Sequence, residues 1–158
     1  ITAQYTAWNS YLQGDAVSLG WIYASVGLGS LFLNALMLRS MYIASKKIIQ
    51  YGLVANIVAY IGLSQATTIA PACLLMMVIG IGNAAVMSSL QTLSQKYVPV
   101  QHRAYAASVL HRTYLITGSV LSLILGFFLQ YVGISWVFIS SCTIAILGLV
   151  LSIWKKHF

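Results

Sequence analysis

The chain has 158 residues, of which 60% are hydrophobic and only 6% are charged, and its mean hydropathy is +0.90. A small soluble domain has about 25% charged residues, because it has much surface to solvate for its volume. The composition therefore argues against soluble enzymes, disordered tails and nucleic-acid modules. The net charge of +7 comes from eight Lys and Arg against one acid, so its meaning depends on where those cations lie.

Long uncharged apolar stretches predict five membrane helices in one domain. A hydrocarbon core of about 30 Å needs roughly 20 mostly apolar residues in a helix, and lipid offers the backbone no other hydrogen-bond partners. The predicted fold class is all-α and integral to the membrane, with about five transmembrane helices and a partial helix before them. The predicted spans cover residues 16–38, 48–66, 69–93, 109–132 and 134–154.

The connections between the spans are short. Asp15 is a plausible N-cap for the first span, a turn at 64–68 joins the second to the third, and Val98-Pro99 breaks the chain after the third. Gly133 separates the last two spans. We interpret residues 1–15 as the end of a preceding helix and an outer loop, with an interfacial helix as the alternative. We therefore expect the chain to be a fragment, from a split gene or a truncation, or else a remnant.

All eight Lys and Arg fall on one side of the predicted membrane. They occupy the connections at 39–47 and 94–112 and the tail at 155–158, whereas the other side has only Asp15. Cytoplasmic loops are enriched in Lys and Arg. We therefore expect the C-terminus to lie in the cytoplasm.

Glycine and polar residues in the third and fourth spans follow an order typical of one transporter family. The residues concerned are Gly80-Ile81-Gly82-Asn83, Gln91, Val98-Pro99, His102-Arg103-Ala104, Gly118 and Gly126. This order resembles the C-terminal half of the major facilitator superfamily, with the enterobactin-exporter and macrolide-efflux branch as the closest likeness. The first span, with its Gly20 to Ser30 segment, looks like the family's eighth helix. Two departures are the missing Gly after Arg103 and the absence of an acid beside Arg39.

The resemblance implies a secondary transporter that exports a small organic or amphipathic compound by alternating access. The five spans would be the family's helices eight to twelve, after the end of the seventh. Its partners would be the lipid bilayer, the missing N-terminal half of the carrier and a small-molecule substrate, in a bacterial inner (plasma) membrane. We expect this fragment to be inactive alone. The alternatives are a small non-transport assembly or scaffold protein of the membrane and an inactive remnant.

The resemblance also implies that the first, third and fourth spans surround a central cavity and that the second and fifth are peripheral. Asn83 is the strongest candidate there, because a neutral amide near the middle of a span needs a hydrogen-bond partner. Packing between helices is the competing explanation for each candidate. Candidates for gating at the cytoplasmic edge are Arg103, His111 and Arg112. Arg112 is also explained by snorkelling to the interface. The cavity candidates are Trp21, Tyr23, Ser25, Asn34, Asn83, Ser88, Gln91, Tyr114, Thr117 and Ser122.

The sequence predicts no catalytic group, metal site or cofactor. The one acid and the three His residues lie on opposite sides of the predicted membrane, so they cannot meet in a Ser-His-Asp arrangement. Cys73 and Cys142 lie in apolar surroundings and are interpreted as buried thiols. The basic loops are explained by membrane topology, and we expect no nucleic-acid partner.

Overall fold

The structure, a computed structural model, describes residues 15–39, 46–132 and 134–154. This part of the chain is helical, with short turns and no strand, which confirms the predicted all-helical membrane fold. The helices are α1 (Ala16–Arg39), α2 (Lys46–Gln65), α3 (Ile69–Tyr97), α4 (Arg103–Val132) and α5 (Ile134–Trp154), and a short 3₁₀ turn at Val100–His102 precedes α4.

Capping and proline effects explain where these helices begin and end. Asp15 stands at the N-cap position of α1, where its carbonyl accepts a hydrogen bond from the Leu19 N–H at 3.1 Å. Pro71 lies in the first turn of α3, where a missing N–H is tolerated. The helix ends at Tyr97. Its C-cap residue, Val98, has the extended backbone (φ −94°, ψ 132°) that is favoured before Pro99.

Two helices extend beyond the predicted spans by at least four residues. The third span was expected at 69–93, but α3 continues to Tyr97 because nothing interrupts it before the proline. The fourth was expected at 109–132, but α4 begins at Arg103, directly after the 3₁₀ turn. Hydropathy marks only the part of a helix that suits lipid, so it misses polar turns at the ends. The predictions for residues 1–14, for Gly133 and for 155–158 fall outside the described residues.

Among the described residues, three helical stretches are long and apolar enough to cross a membrane: Ala16–Leu38, Lys47–Gln65 and Ile69–Tyr97. Phe138–Trp154 is a shorter apolar helix. Many large apolar side chains point outward on every helix. In water this would be costly, but it suits a lipid-facing surface. The membrane crossings at 109–132 and 134–154 stay predictions.

The central helix of the bundle is α3, which packs against α1 on one side and α2 on the other. The far side of α2 packs against α5, whereas α4 contacts α3 and α5 over only a few residues. The buried core lies where the first three helices meet, with Phe138 of α5 beside them, and includes Ile22, Ala59, Met76 and Ile79. The helix that the resemblance equates with the eleventh is therefore the least enclosed of those bounding the centre.

Candidate functional site

Two glycines bring the backbones of α1 and α3 into direct contact. A Cβ atom at Gly29 would collide with the Met77 carbonyl oxygen, and one at Gly80 would collide with the Val26 carbonyl oxygen. The Ser30 hydroxyl lies at the same crossing and is 3.0 Å from the Val26 oxygen and 3.1 Å from the Gly80 oxygen. Only glycine permits this approach, as is common where helices associate in lipid.

A second glycine pair forms the contact between α2 and α3. A Cβ atom at Gly52 would lie 2.8 Å from the Gly82 carbonyl oxygen, and one at Gly82 would lie 2.7 Å from the Gly52 oxygen. Residues two apart on a helix point in nearly opposite directions. The Gly80-x-Gly82 pair of the third span therefore serves two neighbours at once, with Gly80 against α1 and Gly82 against α2.

The strongest sequence candidate, Asn83, is half-buried and has a partner on α2. Its side-chain oxygen accepts a hydrogen bond of 3.1 Å from the Asn56 amide nitrogen. The Asn56 oxygen is buried and has no hydrogen-bond partner among the described residues. It lies where a Cβ of Gly82 would stand, so it faces the Cα–H of that glycine, a weak donor. Helix packing thus accounts for the Asn83 amide, and its role in a cavity stays a prediction.

The candidates on α1 divide into two groups. Trp21 and Tyr23 are 63% and 37% exposed, and the Ser25 hydroxyl donates to the Trp21 carbonyl oxygen of its own helix at 2.7 Å. Nearer the other end, Asn34 accepts a hydrogen bond of 2.8 Å from the Ser88 hydroxyl of α3. This pair is exposed, and it shows that α1 and α3 run in the same direction, because Val26 meets Gly80 and Asn34 meets Ser88.

A large apolar groove lies between the second half of α3 and the first half of α4. Its volume is about 710 Å³, within the range of pockets that hold drug-sized ligands. Two of the predicted cavity residues, Tyr114 and Thr117, line it. Asn83 lies one helical turn before Met87 on the same stripe of α3. The lining residues are Met87, Leu90, Tyr105, Ala106, Val109, Leu110, Thr113, Tyr114, Thr117, Gly118 and Leu121.

A smaller polar pocket of about 260 Å³ adjoins the groove at the end of α3. Its lining includes Arg103, a predicted gating residue, and Gln91, a predicted cavity residue. The Arg103 Nε–H donates to the Val98 carbonyl oxygen at 3.3 Å, which holds the guanidinium at the break between the helices. Leu110 lines both cavities, so they lie next to each other at that residue. The remaining lining residues are Ser94, Gln95 and Ala107.

The other candidates lie away from these two cavities. Ser122 is half-buried on α4, just beyond Leu121 at the end of the groove, whereas His111 and Arg112 are exposed and line neither cavity. Cys73 and Cys142 are half-buried free thiols. In the described part of the chain no three His, Cys, Asp or Glu side chains gather as metal ligands would.

A family model described as Major Facilitator Superfamily matches residues 2–157. The chain belongs to the major facilitator superfamily. Membership confirms the resemblance at the level of the superfamily, whose members are membrane transporters that act on small molecules. No curated protein and no solved structure matches the chain significantly. The assignment to the C-terminal half and to an efflux branch stays a prediction.

Seen as part of such a transporter, the site contains residues that the sequence did not single out. The apolar lining of the groove, such as Met87 and Val109, has no sequence signal that separates it from lipid-facing side chains. Asn56 did have a signal, because it is a mid-span amide just as Asn83 is. It was overlooked because the family resemblance places its helix at the periphery.

Proposed function

We propose that the chain is the C-terminal half of a secondary transporter that exports a small organic or amphipathic compound by alternating access. The observation that supports this most is the groove of about 710 Å³ between α3 and α4. Its lining has no charged side chain, and its polar groups are the hydroxyls of Tyr105, Thr113, Tyr114 and Thr117. Such a surface suits a largely apolar molecule that is oriented by a few hydrogen bonds.

An N-terminal half-bundle is the proposed partner that closes this groove. Within the described residues α4 touches its neighbours at few positions, and Leu115, Ile116 and Leu123 are exposed on it. A second half-bundle placed against α4 would complete the wall of the cavity. Transporters commonly hold substrate near the bilayer midplane between two such repeats.

In the proposed orientation, the C-terminal ends of α1 and α3 lie at the cytoplasmic face of a bacterial inner membrane. Lys96 in the last turn of α3 and Arg103 at the start of α4 lie at this end. Asp15 precedes α1 and therefore lies at the opposite end of the bundle. Because cytoplasmic ends are enriched in cations, the polar pocket beside Arg103 would open toward the cytoplasm.

The rigid and loose parts of the half-bundle suit an alternating-access device. The contacts of α3 with α1 and α2 are made through backbone at glycine, so these three helices would move as one body. The α3–α4 contact has no such close backbone approach at Gly118, where nothing lies within 4 Å of an added Cβ. Rocking of one bundle against another is the usual way in which access alternates.

The test is efflux of a fluorescent amphipathic dye from vesicles that contain the chain together with its complementary half. A Cβ atom at Gly118 would meet nothing within 4 Å, so Gly118→Phe would place its ring in the groove, and we expect efflux to fall at least tenfold. Gly126→Phe is the matched control, because Gly126 lies on the same helix, also has open space around it, and does not line the groove. The control should retain efflux.

The isolated 158-residue chain should give no efflux, because the groove is open on one side. Efflux by that chain alone would contradict the need for a complementary half. Equal efflux by the two phenylalanine variants would contradict the groove as the transport site. A chain that gives no efflux with its complementary half, for any dye tested, would favour a non-transport role.

A further inference from the structure

We propose that the site between α3 and α4 binds an amphipathic anion, with its acidic head beside Arg103 and its apolar body in the groove. This rests on the proposed transport function and narrows its substrate class. The relevant chemistry is a carboxylate, sulfonate or phosphate monoester attached to an apolar chain or ring system. A groove with a mostly apolar lining and a pocket with mostly polar lining residues lie side by side on the same pair of helices.

The polar pocket has the donors that an acidic group requires. Arg103, Gln91 and Gln95 contribute guanidinium and amide N–H groups, and Ser94 contributes a hydroxyl. The only hydrogen bond that the Arg103 side chain makes within the described residues uses Nε, so the two terminal nitrogens remain for a ligand. A guanidinium presents its N–H groups in a fork that matches a carboxylate or phosphate.

No acidic side chain of the sequence lies near Arg103. Its one acid, Asp15, precedes α1, whereas Arg103 follows α3, and these two helices run in the same direction. The two side chains therefore lie at opposite ends of the bundle. An arginine in a pocket with amide and hydroxyl donors but no carboxylate is complementary to an anion supplied from outside.

The apolar groove lies beside the polar pocket. Leu110 lines both cavities, and the groove follows α4 from Tyr105 to Leu121. At 1.5 Å per residue these 16 steps correspond to about 24 Å, enough for an extended apolar chain or a fused ring system. The hydroxyls of Thr113 and Thr117 lie along it and can orient a polar group in the body of the ligand.

The occupant we infer is a small solute rather than a lipid of the bilayer. The polar pocket and the groove each have the size of sites for drug-sized molecules or smaller. Anionic phospholipid at the cytoplasmic leaflet has the same head-group charge, so the experiment must separate these two sources.

The test uses dodecanoic acid with a photoreactive diazirine near the end of its chain, and the matched dodecanol and dodecylamine. The chain and its complementary half are reconstituted together in phosphatidylcholine vesicles, irradiated, and the labelled residues are identified by mass spectrometry. We expect the acid to label the groove between residues 87 and 121 at least tenfold more than the alcohol or the amine does. Equal labelling by all three probes would overturn the anionic head while leaving the apolar transport groove in place.

Three variants locate the head group and the chain. Arg103→Gln should lower labelling by the acid about tenfold, equivalent to about 1.4 kcal/mol, and should leave labelling by the alcohol unchanged. Lys96→Gln is the control for general positive charge, because Lys96 lies in the last turn of α3 but lines neither cavity. Gly118→Phe should remove labelling of the groove by the acid, whereas Gly126→Phe should not.

The contrary outcomes are equally distinct. A loss with Lys96→Gln as large as that with Arg103→Gln would assign the effect to surface potential and overturn the site. If phosphatidylglycerol in the vesicles abolishes labelling at equal probe concentration in the membrane, the occupant is a membrane lipid and the solute assignment is wrong. If Arg103→Gln lowers labelling by the alcohol as much as labelling by the acid, the head-group assignment to Arg103 is wrong.

Discussion

The two halves of α3 make opposite kinds of contact. Around Gly80 and Gly82 the helix touches α1 and α2 through backbone, and the Asn56–Asn83 amide pair lies at the same level. Beyond Met87 the same helix faces α4 across a groove of about 710 Å³. One helix therefore supplies both a rigid junction and the wall of a cavity. The size of the residues at successive turns decides whether a close contact or a groove forms.

The sharpest test of this contrast compares two methionines on α3. Met76 is fully buried in the core of the bundle, whereas Met87 is half-buried and lines the groove. Met76→Ala should lower the free energy of unfolding in bicelles by about 2–3 kcal/mol, because it leaves a cavity among packed side chains. Met87→Ala should cost less than about 1 kcal/mol, since the groove is already open. Equal losses would show that the α3–α4 contact is as tightly packed as the core.

A second test concerns two glycines on α1. Gly29→Ala should lower the free energy of unfolding by about 1–3 kcal/mol, because the new Cβ would displace the α3 backbone at Met77. Gly27→Ala is the matched control, as nothing lies within 4 Å of a Cβ there, and helix propensity favours alanine by about 1 kcal/mol. The measurement is reversible unfolding of each variant in the same bicelles. A Gly29 variant as stable as the Gly27 variant would refute the close backbone contact.

The smallest expected effect belongs to the amide pair. A double-mutant cycle of Asn56→Ala and Asn83→Ala should give a coupling energy of about 0.6 kcal/mol, the average for hydrogen bonds between membrane helices, and no more than about 1.7 kcal/mol. Ser25→Ala is the control, because the Ser25 hydroxyl bonds within its own helix, and it should show no coupling to Asn83. A coupling near zero for the amides would free Asn83 for the cavity role that the sequence favoured.

Much of the fold was predictable from the sequence. The turn at 64–68 and Val98-Pro99 indicated where α3 begins and where it ends, and the apolar stretches located the helices to within a few residues at most ends. The cavity role of the candidate residues stays a prediction. Tyr114 and Thr117 line the groove, Trp21 and Tyr23 are exposed, and Asn83 is hydrogen-bonded to α2. A polar residue inside a span predicts that its side chain has a hydrogen-bond partner, but it does not indicate which neighbouring helix supplies that partner.

The sequence by itself determined that this is a helical membrane protein, and its residue order indicated the superfamily. It could do so because lipid leaves each apolar segment no alternative to the helix, whatever its neighbours are. The sequence also predicts that the cations lie at one end of the helices. Only the tertiary structure decided that Gly80 faces α1 and Gly82 faces α2, and that Arg103 adjoins an apolar groove. These facts depend on where the helices cross, and side chains far apart in sequence set the crossing points by packing together.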